Sequence, residues 1–281
     1  MLLEYAIVYK TENTYEDWVN GAHWQFLIIP EENDTQEYVS VTFENSLQEG
    51  HEFSSNGFDF KTIRLRPNQK FKDISFEANF KLIKKKKELP ATSLSITQEQ
   101  QEVMGIDFKA LHEPFLRKTK FTTLPEQHMP LFSFSKEVSL LQNLKNLNEF
   151  VFLFLYFKTG VTTVSTTLKE VMAEKHGVCQ DFTHLFCAIA RKNNIPTRYV
   201  SGYLHQGSGF FGDAQMHAWA ECFIPQMGWV AFDPTNNLLP DMDHIKVSHG
   251  KDYTDCAPLK GVVYTSGANT TSYMVQVSSQ Q

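Results

Sequence analysis

The stretch Gly177-Val178-Cys179-Gln180-Asp181-Phe182-Thr183-His184 decides how the chain is read. From it onward, Phe182, Leu185, Phe186 and Ile189 recur at three- and four-residue steps, the pattern of a helix with one apolar face. Arg191 and Lys192 suit the last turn, Asn193 and Asn194 can end it, and Pro196 prevents continuation. Cys179 therefore stands where a helix begins. Free N–H groups and the positive end of the helix dipole favour a thiolate there. A cysteine so placed is a candidate nucleophile and directs a search for its base.

Three strand-like runs follow, at residues 197–205, 216–224 and 229–232, the last two joined by a turn at 225–228. His217 opens the second run and Asp233 closes the third. A nucleophilic thiol needs a base to hold its proton and an orienter to fix that base. The order Cys, His, Asp on helix start, strand and neighbouring strand supplies these parts. Register sets a condition, because strand side chains alternate. A four-residue loop would place Asp233 opposite Ala220, facing away from His217. A three- or five-residue loop places it opposite Trp219, on the histidine's face, and that register or a bulge is expected.

Outward from this block, residues 1–90 show short β-type runs bounded by Gly, Asn, Asp or Pro, which suggests an antiparallel sheet or sandwich. Residues 91–135 are polar and proline-punctuated and read as a connector. Residues 136–157 read as a helix, 168–174 as a second, and the chain ends in an alternating run at 273–277. The Lys84–Lys87 run reads as a solvated strand end that discourages edge pairing, in preference to an anion site.

Composition bounds the rest. At 281 residues there is length for one large or two smaller domains, and a net charge of −6 disfavours generic nucleic-acid binding. The first ten residues carry Glu4 and no basic region, so they read as a strand and not a signal peptide. No apolar stretch is long enough to span a membrane. Four cysteines without a C-x-x-C pair point to reduced thiols in a cytoplasmic protein, with no metal or other cofactor expected. Nothing in the composition fixes an oligomeric state.

Four blocks in order carry a family resemblance: Gly177-Val-Cys-Gln-Asp-Phe-Thr-His, Ile195-Pro-Thr-Arg-Tyr-Val-Ser-Gly-Tyr, His217-Ala-Trp-Ala-Glu, and Gly228-Trp-Val-Ala-Phe-Asp-Pro-Thr-Asn. The chain resembles the bacterial transglutaminase-like superfamily, whose members are often described as candidate cysteine proteases. Tyr156 with residues 160–170, and His244-Ile-Lys-Val with residues 250–255, extend the likeness. The resemblance implies an α+β fold with a papain-like core, in which a nucleophile helix packs on an antiparallel sheet, in residues 136–281. An N-terminal β-rich domain precedes it. It carries Cys179 as nucleophile, His217 as base and then acid, and Asp233 as orienter. Tyr156, Gln180 and Trp219 are candidate oxyanion or substrate contacts beside the backbone N–H of Cys179.

The implied activity is thiol-dependent hydrolysis of an amide or peptide bond through an acyl-enzyme, on a peptide or protein substrate. Transamidation onto an amine, or a non-catalytic binding module, are the alternatives. His184 lies five residues after Cys179, about 140° round the helix, and reads as a packed histidine. Cys187 and Cys222 read as core, and Asp181 as structural. Gly207-Ser-Gly-Phe-Phe-Gly212 matches G-x-G-x-x-G, but a strand and not a helix is expected after it, so a nucleotide site is rejected. That segment is expected to be a loop beside the base that partly covers the cleft.

Overall fold

The structure, a computed structural model, describes residues 1–205, 209–211 and 215–280. In the N-terminal part, alternate side chains of the two longest strands turn inward, as the period of two requires. The strands are β1 (Leu2–Val19), β2 (Gly21–Phe26), β3 (Gln36–Asn45), β4 (His51–Ser55), β5 (Lys61–Leu65) and β6 (Phe71–Lys85). Tyr5, Ile7 and Tyr9 of β1 and Phe76, Ala78 and Phe80 of β6 meet Trp24 and Phe26 of β2 and Ile63 and Leu65 of β5 in one core. Phe76 sits edge-on to Trp24 and Phe26, with ring centroids 5.2 and 4.8 Å away, a preferred aromatic arrangement.

A connector with helices α1 (Ile96–Met104) and α2 (Ile106–Leu111) leads to α3 (Leu140–Phe154). The α3 helix is shorter than the 136–157 expected: Ser139 caps its start through the Gln142 N–H. At its other end Tyr156 and Phe157 leave the helix as β7 (Tyr156–Phe157). That strand pairs in parallel with β8 (His176–Gly177), which follows α4 (Leu168–Glu174). Helix α5 (Cys179–Lys192) comes next, then β9 (Thr197–Leu204), β10 (His217–Ile224), β11 (Gly228–Phe232) and β12 (His244–Gly250). These four strands form an antiparallel sheet in the order β11-β10-β9-β12. Phe182, Leu185, Phe186 and Ile189 of α5 share a core with Ala218, Ala220, Cys222 and Ile224 of β10. The α+β class and the nucleophile-helix-on-sheet core are as expected.

After the short helix α6 (Tyr253–Cys256), the chain returns to the N-terminal region as β13 (Leu259–Tyr264) and β14 (Asn269–Gln280). These complete its two antiparallel sheets, β13-β2-β5-β4 and β14-β1-β6-β3. Residues 259–280, grouped above with the core domain by sequence position, are thus strands of the sandwich. Tyr203, Ile245 and Val247 from β9 and β12 pack into the sandwich core, which joins it to the helix-bearing sheet.

The lysine run corrects one expectation. Strand β6 lies inside its sheet, between β1 and β3, so its end is not an edge to be protected. Lys84 is buried, and only Lys85, Lys86 and Lys87 are exposed, paired with Glu37, Asp241 and Asp34.

Candidate active site

The segment before α5 is built to hold Cys179 at the helix start. The Asp181 carboxylate accepts the Val178 N–H at 2.8 Å and the Thr162 hydroxyl at 2.7 Å, tying the 160–166 loop to the first turn. A Cβ at position 177 would come within 2.6 Å of Asp181, so glycine is required there. Burial raises the Asp181 carboxyl above its ordinary value, against the hydrogen bonds from Val178 and Thr162. Cys179 is half-buried, whereas Cys187, Cys222 and Cys256 are buried. Burial pushes the Cys187 thiol up to about 11 and the other two higher still.

The turn after β10 has three residues, with Ile224 paired to Gly228. Gln226 and Gly228 take positive φ (61° and 75°) to close it. This register continues to Asp233 opposite Trp219, on the face of His217, as the expected loop length requires. His217 Nε2 donates to Asp233 Oδ2 at 2.8 Å, with both side chains fully buried. Nδ1, buried and without a hydrogen-bond partner, is left as the nitrogen available to the thiol. Burial alone would depress the imidazole. The Asp233 carboxylate outweighs it, Cys179 adds to the effect, and the pKa is pushed up to about 10. The Asp233 carboxyl, despite burial, is held far below the carboxylate range by His217 and His244.

Asp233 is fixed from all sides. Its Oδ1 accepts the backbone N–H groups of Thr235 and Asn236 at 2.9 and 3.2 Å, so Asp-Pro-Thr-Asn is a turn as well as an anchor. Its Oδ2 also accepts Asn236 Nδ2 at 2.8 Å and His244 Nε2 at 3.0 Å. Its backbone carbonyl accepts Asn148 Nδ2 of α3 at 3.3 Å. His244, Asn236 and Asn148 were not singled out from the sequence. His244 and Asn236 had a signal, since each lies in a segment that carries the family resemblance.

The remaining candidates divide. Trp219 is buried, stacks on His217 at 6.2 Å and stands edge-on to His244 at 5.2 Å, so it both fills the core and screens the ion pair. Gln180 is buried in the first turn of α5. Tyr156 is 65% exposed, and its ring lies 6.0 Å from His176. His184 is packed as expected: it stacks on Phe121 and accepts the Tyr253 N–H, and burial depresses it to about 3.

Of the G-x-G-x-x-G segment, Gly207, Ser208 and Gly212 lie outside the described residues. Phe211 stacks on Phe157 at 4.7 Å and its N–H bonds Asn236 Oδ1, while Phe210 faces His244 at 6.4 Å. A strand follows, so the dinucleotide motif has no helix to serve it.

Among the described residues, His217, Asp233 and His244 are close enough to share a metal ion, with ligand atoms within 4.8 Å of one another. Both Nε2–H groups instead close on one carboxylate oxygen. A zinc ion about 2.0–2.1 Å from each nitrogen would require both bonds to break. The trio is a hydrogen-bonded cluster.

Comparison with known proteins gives a family match and a fold match. Residues 135–234 match the model of the transglutaminase-like superfamily. An uncharacterized protein of Mycobacterium tuberculosis is 37% identical over 147 residues, which is 49% of this chain and 47% of that protein. One from Mycobacterium leprae is 38% identical over 123 residues, 42% of this chain and 43% of its own length. The chain thus spans less than half the length of these relatives. In fold, the whole chain is similar to a protein of Cytophaga hutchinsonii described as a candidate cysteine protease. The TM-score is 0.82 at 20% identity, over 100% of this chain and 92% of that one. The helix start that presents Cys179 and the strands that carry His217 and Asp233 all fall within the segment that matches the transglutaminase-like superfamily.

Proposed function

We propose that the protein hydrolyses an amide or peptide bond through Cys179. The reading rests on one observation: a buried His217–Asp233 ion pair beside a half-buried thiol at a helix N-terminus. Asp233 keeps His217 as imidazolium, and the imidazolium and the helix dipole together favour a Cys179 thiolate. The thiolate attacks the carbonyl carbon, and the C–N bond breaks as His217 gives its proton to the leaving amine. Neutral His217 then takes a proton from water, which attacks the thioester, releases the acid and regenerates the thiolate. The backbone N–H of Cys179, in the first turn where no intrahelical acceptor exists, is suited to the oxyanion. Partial exposure of the thiol leaves an acyl-enzyme accessible to water as the acceptor.

A panel of internally quenched peptides, offered with and without a fluorescent primary alkylamine, tests this reading. Cleavage with an acyl adduct on Cys179, lost in Cys179→Ala, is expected. Amine incorporation in place of cleavage would establish transamidation. Cleavage that survives in Cys179→Ala would overturn the thiol mechanism.

A further inference from the structure

Strand β12 is the outer strand of the helix-bearing sheet, so one side of its backbone has no strand partner. The sandwich supplies the missing partners. Glu31 donates its N–H to the Lys246 carbonyl at 2.9 Å. The Gln36 side chain behaves like a peptide group of an absent strand: Oε1 accepts the Lys246 N–H at 2.7 Å, and Nε2 donates to the Lys246 carbonyl at 2.9 Å. Lys84 Nζ donates to the His244 carbonyl and to Gln36 Oε1. Gln36 and Lys84 are both buried. The backbone of β12 is thereby held at 244 and 246 by side chains from β3 and β6.

His244 is the residue this clamp holds. Its Nε2–H meets the same Asp233 oxygen as His217, and the two rings lie 5.8 Å apart. Burial holds His244 below its ordinary pKa, with the positive His217 and Lys84 acting the same way against the pull of Asp233. It is therefore a neutral donor. It fixes the carboxylate without competing for the charge that Asp233 gives to His217.

We propose that His244 is a positioning residue, and that the N-terminal sandwich, through Lys84 and Gln36, sets it so that Asp233 stays aligned with His217. This gives the sandwich a role inside the site, and it rests on the Cys179–His217–Asp233 reading above. If the clamp loosens, Asp233 becomes a weaker partner, burial prevails, and His217 loses its proton at lower pH. The charged and titratable groups near the two rings are Asp233, Cys179 and Lys84.

The test is a pH titration of the His217 ring by NMR on the full-length, histidine-labelled protein, with folding checked by circular dichroism. His244→Gln keeps a donor where Nε2 stands and should retain the wild-type titration. His244→Asn, too short to reach, and Gln36→Leu should each lower the His217 pKa by about one pH unit or more, a tenfold change or greater. An unchanged His217 titration in folded His244→Asn and Gln36→Leu would overturn the proposal. Alkylation of Cys179 in the same samples separates the two claims. An unreactive wild-type thiol with a His244-dependent titration sinks the mechanism and leaves the clamp standing.

Discussion

The sandwich and the helix-bearing sheet bury their side chains in opposite styles. The sandwich core is aromatic and aliphatic, and among strands β1 to β6 the buried polar side chains are Thr11, Asn13, Gln36, Thr62 and Lys84. Two of these five, Gln36 and Lys84, bond to β12 of the other half. The helix-bearing half instead buries Asp181, His184, Arg191, His217, Asp233, His244, Lys246 and Asp252. Each buried charge must be paired and hydrogen-bonded to be tolerated, and such pairs add little net stability. Three of them, His217, Asp233 and His244, form one hydrogen-bonded cluster beside the half-buried thiol, and the bonds from Gln36 and Lys84 mark where the two halves are coupled.

That contrast can be broken in order of effect. Asp233→Asn removes the charge that sustains the His217 imidazolium. Turnover should fall about 10³–10⁴-fold, measured on any peptide found to be cleaved and expressed per folded protein. Phe76→Ala should act on stability instead. Phe76 is 2% exposed against Trp24 and Phe26, so about 3–5 kcal/mol of stability is expected to be lost in a denaturant titration. The reactivity of Cys179 in the folded fraction should not change.

Acid should separate the halves more gently. Burial opposes ionisation of Glu221, but Lys246 and Arg198 outweigh it and hold it down to about 2. Asp233 is held low as well. Stability from these carboxylates is present above their unfolded values of about 4 and is lost as pH falls through the folded ones. Burial depresses His184 to about 3 and His249 to about 2. The unfolded chain binds those protons below about pH 6.5, so this loss has the same sign. Hydrogen exchange at pH 3–4 should deprotect β9, β10 and β12 before β1 and β6. Equal deprotection would remove the electrostatic distinction between the halves.

Local reading reached much of the site because the chain spells it locally. The Cys179 helix is written in a 3.6-residue period, and the β10–β11 register follows from the length of one turn. The parts missed are long-range. Lys84 meets the His244 carbonyl across 160 residues and Gln36 meets Lys246 across 210, and no local period encodes either. The closing strands β13 and β14 likewise find partners more than 200 residues away. One signal for Lys84 did exist. Phe76, Ala78, Phe80 and Leu82 alternate inward along β6, and the next step on that face is Lys84. Reading residues 84–87 as one charged run hid that its first member belongs to the buried face.

The central claim, a thiolate held by His217, is tested most directly by the pH dependence of Cys179 alkylation in the native protein and in His217→Ala. The other three cysteines are buried, so the reagent reports on Cys179. A free cysteine, with a pKa near 8.5, is only about 0.3% thiolate at pH 6. The account predicts that wild type reacts at pH 6 within a few-fold of its rate at pH 8, and that His217→Ala loses about a hundredfold at pH 6. A wild-type rate that climbs with pH like that of a free thiol, and that ignores the loss of His217, would contradict it.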